Sequence, residues 1–246
     1  MSKNYDVLRE ANREREIFRT VLAPHRDGRA GKGSADHQDR MRDEILKLIQ
    51  CVFLTGDPCP PRVVVFSAVE RGNGSTWVCA RAGEMLASRI EGRVCLVDAN
   101  LHAPALHRHF GIDNGSDLAD AIFQPGPVER FAQPIRGSNL WLLSGRSVPP
   151  DVAGVVSPER LRSRLLELCL EFNYVLLDTP PVNESADSLM FGRMADGMVL
   201  VLAAHATHRD AARKAKESLE AANIKLLGAV LNKRTFPIPE ALYSRI

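Results

Sequence analysis

The chain has 246 residues, 45% of them hydrophobic and 25% charged, with a formal net charge of +2 at pH 7. That length and apolar content fit one α/β core of about 200 residues plus an N-terminal extension, and so even a charge balance argues against a nucleic-acid-binding surface. Five cysteines (Cys51, Cys59, Cys79, Cys95, Cys169) lack any C-x-x-C spacing, which argues against disulfides and zinc and for buried thiols in a reducing cytoplasm.

Residues 1–22 place Val7, Leu8, Ile17, Phe18, Val21 and Leu22 among charges, a spacing that permits a helical extension with a partial apolar face. Residues 23–38, rich in Gly, Arg and Ser, read as a flexible linker. Its Gly31–Lys32–Gly33–Ser34 imitates a phosphate loop, but no strand precedes it and no hydroxyl residue directly follows the lysine. The α/β domain is expected over 39–246. It opens with an amphipathic helix from Asp39 to Leu54, where Met41, Ile45, Leu48, Ile49 and Val52 recur at three- and four-residue steps. The prolines of Asp57–Pro61 end it. No run in the chain is apolar over a bilayer-spanning length and no leader is recognisable, so a cytoplasmic protein without direct membrane insertion is expected.

Val63 to Ala68 reads as a buried strand that runs through a glycine-rich turn into a helix over Thr76–Ile90, the layout of a phosphate-binding loop. Such a loop works through successive backbone N–H groups and the positive end of the following helix. Gly72, Asn73 and Gly74 would supply the main-chain cradle, the glycines letting the backbone come close to phosphate. The usual lysine is missing. Its slot falls on Gly74 if the loop is counted from Ser67–Ala68, and on Ser75 if Gly72 and Gly74 are the glycine pair. Ser75 and Thr76 keep the metal-binding hydroxyl under either count. Trp77 is expected to pack. The plain alternative is a strand-to-helix turn without a ligand.

Val94–Asp98 and Tyr174–Asp178 are apolar runs ending in an acid. Runs of this kind suit central parallel strands covered on both faces, and an acid at their carboxyl ends emerges where open α/β sheets bind ligands. Asp98 and Asp178 beside the glycine-rich loop therefore read as a Mg²⁺–nucleotide constellation; the plainer reading is that each caps the next helix or turn. Short helical pieces fill Leu106–Phe123 around a turn at Gly111–Gly115. Strands are expected at Leu140–Leu143, Met198–Leu202 and Leu226–Leu231, and helices at Pro158–Phe172 and Ala206–Ala222. The alternation implies a doubly wound, mostly parallel sheet with right-handed crossovers.

The order of strand, glycine-rich loop and helix, then Val97 to His107 (Val-Asp-Ala-Asn-Leu-His-Ala-Pro-Ala-Leu-His), then Leu177–Asp178–Thr179–Pro180–Pro181–Val182, then Gly228 to Lys233, resembles the bacterial tyrosine autokinases of capsule and exopolysaccharide synthesis. These belong to the MinD/ParA-like branch of P-loop proteins. The resemblance covers about residues 40 to 246 and implies ATP and Mg²⁺ as cofactors and a membrane polysaccharide co-polymerase as partner. It implies that Asp178 stands at the Walker B position and holds the metal's hydration shell, with Ser75 and Thr76 as further metal-side groups. Asp98 would be the first Walker A′ acid, near the metal and catalytic in activating the acceptor tyrosine hydroxyl, and Asn232 would meet the adenine.

The departures from the family pattern are equally specific. Asn100 replaces the second acid of the Walker A′ motif, His102–Ala103 replaces its basic pair, and Tyr243 alone stands for the usual tyrosine cluster as candidate acceptor. Each preorganised charge aimed at a transferring phosphoryl group is worth about 3 to 4 kcal/mol of barrier, so losing the lysine, the metal-side acid and the basic pair together is expected to cut turnover towards background unless something replaces them. Arg71 inside the loop, or a partner's basic residue, is a candidate replacement; the plainer reading of Arg71 is a solvated side chain. The helix around Glu44–Leu48 is a candidate homo-oligomer interface, or packs on its own domain. His102, His107 and His109 lack the spacing of a zinc site.

Three functional expectations result. The first is a nucleotide-binding member of the tyrosine kinase family with weak or lost autophosphorylation. The second is a pseudokinase that serves as an assembly module without ATP turnover. The third is a positioning ATPase of MinD/ParA type, against which stand the missing loop lysine and the absence of a recognisable C-terminal membrane helix.

Overall fold

A computed structural model describes residues 20–24, 34–54, 58–146 and 157–234. Within them, an eight-stranded sheet runs in the order β1-β8-β7-β2-β6-β3-β5-β4. Its strands are β1 (Thr20–Pro24), β2 (Val63–Ala68), β3 (Val94–Asp98), β4 (Gln133–Pro134), β5 (Leu140–Leu143), β6 (Tyr174–Thr179), β7 (Gly197–Ala203) and β8 (Leu226–Arg234). All neighbours pair in parallel except β4 with β5. The helices are α1 (Ser34–Phe53), α2 (Ser75–Ala87), α3 (Leu106–Phe110), α4 (Leu118–Phe123), α5 (Pro158–Glu171), α6 (Ala186–Met194) and α7 (Arg209–Ala221).

The apolar runs make physical sense in this arrangement. Successive strand residues alternate faces, and both faces are covered. Val64, Phe66, Leu96, Leu176 and Val199 pack with Leu48, Ile49 and Phe53 of α1 and Val78, Cys79 and Leu86 of α2. Val65, Val97, Val175 and Leu177 pack with Leu118 of α4, Leu165 and Leu168 of α5, Phe191 of α6 and Leu219 of α7. A fully buried leucine or valine contributes about 1.5 to 3 kcal/mol, so the buried central strands β7, β2, β6 and β3 contribute heavily to the sheet's stability.

Two expectations change at the N-terminal side. Residues 20–24, read as the end of a helical extension and the start of a linker, form β1, which pairs with β8 through Thr20↔Ala229, Val21↔Val230 and Leu22↔Leu231. The open edge of β8 offers a row of unpaired N–H and C=O groups, and pairing there outweighs a weak helical periodicity. Helix α1 also starts at Ser34, inside the expected linker. The rest of the extension (1–19) and of the linker (25–33), and the tail with Tyr243, lie outside the described residues. No described helix is long and apolar enough to cross a membrane.

Candidate functional site

Strands β2, β3, β6, β7 and β8 all end at one edge of the sheet, and the loop from Val69 to Gly74 sits across them. Gly72 (φ +84°) and Gly74 (φ +92°) take the left-handed backbone that the turn needs. Gly74 is the N-cap residue of α2, and no side chain caps that helix. Because the helix starts at Ser75, the position after the last loop glycine, where a lysine would stand, is Ser75. Among the described residues, the backbone N–H groups of Gly72, Gly74, Ser75, Thr76 and Trp77 find no hydrogen-bond acceptor; the first committed one beyond them is Val78, to the Gly74 carbonyl at 3.1 Å. A row of free donors at the positive end of a 13-residue helix is suited to an anion.

Four braces hold this loop. The Asn73 side-chain oxygen accepts from the Glu70 N–H at 3.0 Å and from the Thr207 hydroxyl at 3.3 Å. The Asn232 amide donates to the Asn73 carbonyl at 2.9 Å. Glu184 Oε1 accepts from the Arg71 N–H at 2.8 Å. Behind the loop, the Val182 N–H reaches the Ala68 carbonyl at 2.9 Å and the Ser67 hydroxyl the Pro180 carbonyl at 2.6 Å, which clips the Pro180–Pro181 corner to β2.

Asp98 and Asp178 are register partners across β3 and β6, at 0% and 1% exposure. Both project from the sheet face that α2 covers, since Leu96 and Leu176, two residues earlier on each strand, pack there. Their environments differ. One oxygen of Asp98 accepts from the N–H groups of Ala105 at 2.8 Å and Leu106 at 2.9 Å, so it anchors the start of α3, and the other has only a long 3.4 Å contact with the Asn100 N–H. The capping role is thus real for Asp98, which keeps one oxygen largely uncommitted. Asp178 has neither oxygen hydrogen-bonded at ordinary geometry, although the Thr76 and Ser75 hydroxyls lie near enough to favour its charged form.

Burial, and then the neighbouring Asp98 charge, push the Asp178 carboxyl well above the usual range. Burial raises Asp98 too, and its backbone donors work against that rise. Cys79, one helical turn beyond Ser75, is driven up by burial and by the same two acids. A dry pair of carboxylates, one without a partner, beside two hydroxyls is a donor set suited to a hard divalent cation.

The other expected positions resolve as follows. Gly72, Asn73, Gly74, Ser75 and Thr76 come together as the loop and first turn. Asn232 is 5% exposed and lies against that loop: its amide holds Asn73, its oxygen accepts from the Lys233 N–H at 2.8 Å, and a Cβ on Gly74 would fall 2.4 Å from its nitrogen. Its visible work is to shape the loop. His102, in the place of the basic pair, bonds Asp187 at 3.1 Å. Sequence reasoning missed Glu184 and Thr207, because each reaches the loop from a connection more than a hundred residues away in sequence and carries no local motif.

No protein-family model matches the chain. The chain is 31% identical over 180 residues to the tyrosine-protein kinase YwqD of Bacillus subtilis (strain 168), an overlap of 73% of this chain and 75% of that protein. Its fold is shared with the kinase domain of the Escherichia coli tyrosine kinase ETK (TM-score 0.79, 17% identity, 92% of this chain and 94% of that one). The cell division ATPase MinD of Pyrococcus furiosus has the same core (TM-score 0.62, 23% identity, 75% of this chain and 78% of that one). With the loop, the paired acids and the parallel sheet in place, the chain belongs to the bacterial tyrosine-protein kinase family, with a MinD-like P-loop fold.

Proposed function

We propose that this protein binds Mg²⁺–ATP at the loop and acts in exopolysaccharide or capsule production, with weak or lost phosphotransfer to its own tyrosines. The observation that carries this reading is the buried, unpartnered Asp178 beside Ser75 and Thr76, below a row of free backbone donors. The N–H groups of Gly72, Gly74, Ser75 and Thr76 would bind phosphate oxygens. Asp178, the Ser75 and Thr76 hydroxyls and the free oxygen of Asp98 would hold the cation, which when bound supplies charge neutralisation for the phosphates. Asp98 would also accept the proton of an incoming tyrosine hydroxyl, with Tyr243 as the candidate acceptor. Asn232 spends one amide N–H on Asn73 and one lone pair on Lys233, and its second N–H would be the adenine contact.

A second reading is an assembly module without turnover. It is favoured by the missing loop lysine and by the commitment of one Asp98 oxygen to α3. Under both readings the protein is cytoplasmic, with a membrane polysaccharide co-polymerase as its partner and a homo-oligomer as a further assembly. A positioning ATPase of MinD/ParA type is the least supported, since nothing beyond the shared fold points to it.

ATP titration with and without Mg²⁺, repeated on Asp178→Ala, separates them. Saturable Mg²⁺-dependent binding that disappears in the variant supports the first reading, and a flat titration supports the second. Incorporation of labelled phosphate that Tyr243→Phe abolishes would place the acceptor in the tail.

A further inference from the structure

One anion already sits on the phosphate loop, and it belongs to the chain itself. Glu184 Oε1 accepts from the Arg71 N–H at 2.8 Å, and Glu184 Oε2 lies 3.7 Å from the Arg71 guanidinium. Glu184 comes from the connection between β6 and α6, just past the Asp178–Thr179–Pro180–Pro181 corner that is clipped to β2. Arg71 directly precedes Gly72, whose N–H is among the free donors and above which a Cβ would meet nothing within 4 Å. The pair therefore stands at the open mouth of the loop.

From this geometry we infer that Arg71 supplies the cationic charge the loop lacks, and that Glu184 is its internal competitor, holding the N–H and guanidinium that a polyphosphate would take on entering. The inference rests on the reading of the loop as a phosphate site. The side chains are 79% and 42% exposed, so their attraction is screened by water and weak, and a polyphosphate that also meets the free N–H row displaces Glu184 at little cost. An arginine matches phosphate geometry with paired N–H donors where a lysine gives a point charge. It is the one cation between Val63 and Ala80. Glu184 then sets the threshold for entry: a ligand with one phosphate competes poorly against a tethered carboxylate, and one with three competes well.

The test is calorimetric titration of the full chain with sodium tripolyphosphate and with ATP, in Mg²⁺ and in its absence, for the native protein and for Glu184→Gln, Arg71→Ala and Glu91→Gln. Glu91 is an exposed acid in the turn before β3, at the opposite edge of the sheet, and controls for a general change of net charge. We expect Glu184→Gln to bind tripolyphosphate about three- to tenfold more tightly and Arg71→Ala to bind it more weakly by a similar factor, as the loss of one screened to partly buried charge contact predicts. Glu91→Gln should stay within twofold of the native value. A native protein that binds nothing while Glu184→Gln binds also supports the competitor. Native binding that neither variant changes, or a Glu91→Gln gain equal to that of Glu184→Gln, overturns the competitor and leaves the nucleotide site standing. Failure of every protein to bind, with unchanged circular dichroism, overturns both.

Discussion

Asp98 and Asp178 face each other as register partners at the tips of adjacent parallel strands, both buried, yet only Asp98 has its charge met by backbone donors. Neighbouring strands lie about 4.8 Å apart, so two negative charges in this position repel each other through a dry interior. Burial, and then the neighbouring Asp98 charge, favour the protonated form of Asp178, and a cation would relieve the repulsion while leaving both acids ionised.

A stability experiment follows from the sign of that shift. Asp178 binds a proton more readily in the folded state than in the unfolded one, so above about pH 4, the ordinary carboxylate range, folding stability falls as pH rises towards the raised folded-state value. Asp178→Asn removes the penalty. It should stabilise the metal-free protein by about 1 to 3 kcal/mol at pH 7.5, and the gain should shrink as pH falls towards the ordinary carboxylate range, about pH 4. Urea unfolding of both proteins at several pH values in EDTA checks this. A gain independent of pH would mean that the carboxyl is not the source.

Glycine substitutions should separate backbone strain from crowding. Gly72→Ala places a methyl in open space at φ +84° and should cost about 1 to 2 kcal/mol. Gly74→Ala meets the same backbone restriction at φ +92° and also drives a Cβ to 2.4 Å from the Asn232 nitrogen, so it should cost about 2 to 4 kcal/mol. Denaturant midpoints give the difference.

That contrast marks what was legible in the amino-acid order. The strand–glycine loop–helix layout, the acid-tipped apolar strands and the α/β alternation could be read, because burial on both faces and turn chemistry leave local signatures. Strand β1 could not, since its pairing depends on the free edge of β8 and not on its own composition. Helix α6 went unread because its apolar pattern is short and interrupted. Arg71 could be singled out as a loop cation, but its partner Glu184 and the Thr207 and Asn232 braces are visible only after distant connections meet at one edge. The two alignments of the lysine slot likewise needed the helix start at Ser75 to choose between them.

Asn232 should govern the loop's order more than the fold's stability. Asn232→Ala leaves the buried Asn73 carbonyl without its donor and should cost about 1 to 3 kcal/mol. The informative readout is hydrogen exchange. The Glu70, Arg71, Asn73 and Val78 amides, which have acceptors in the loop, should lose protection in the variant while those of β3 and β6 keep it, because the contact braces the loop and not the central strands.

Ser75→Lys tests the proposed phosphate site by placing a cation in the loop position where the sequence has a serine. Ser75 is the residue after a left-handed glycine, 8% exposed, in the first turn of α2 and close to the unpartnered Asp178. A lysine there would have a buried carboxylate to meet in the empty state and phosphate to meet in the bound one. Its charge opposes the positive end of the helix, a cost of about 0.3 to 1 kcal/mol, which a partner carboxylate offsets. Hydrogen bonds to a charged group are worth about 1.5 to 3 kcal/mol, so Mg²⁺–ATP affinity should rise by about ten- to a hundredfold. Ser75→Met, of similar length without charge, should show no gain. If the N–H row, the hydroxyl of Thr76 and the two acids are otherwise intact, phosphate incorporation should rise with affinity by about a hundredfold or more. A gain in binding without a gain in incorporation would locate the remaining deficit at Asn100 and His102–Ala103, where the second acid and the basic pair are replaced.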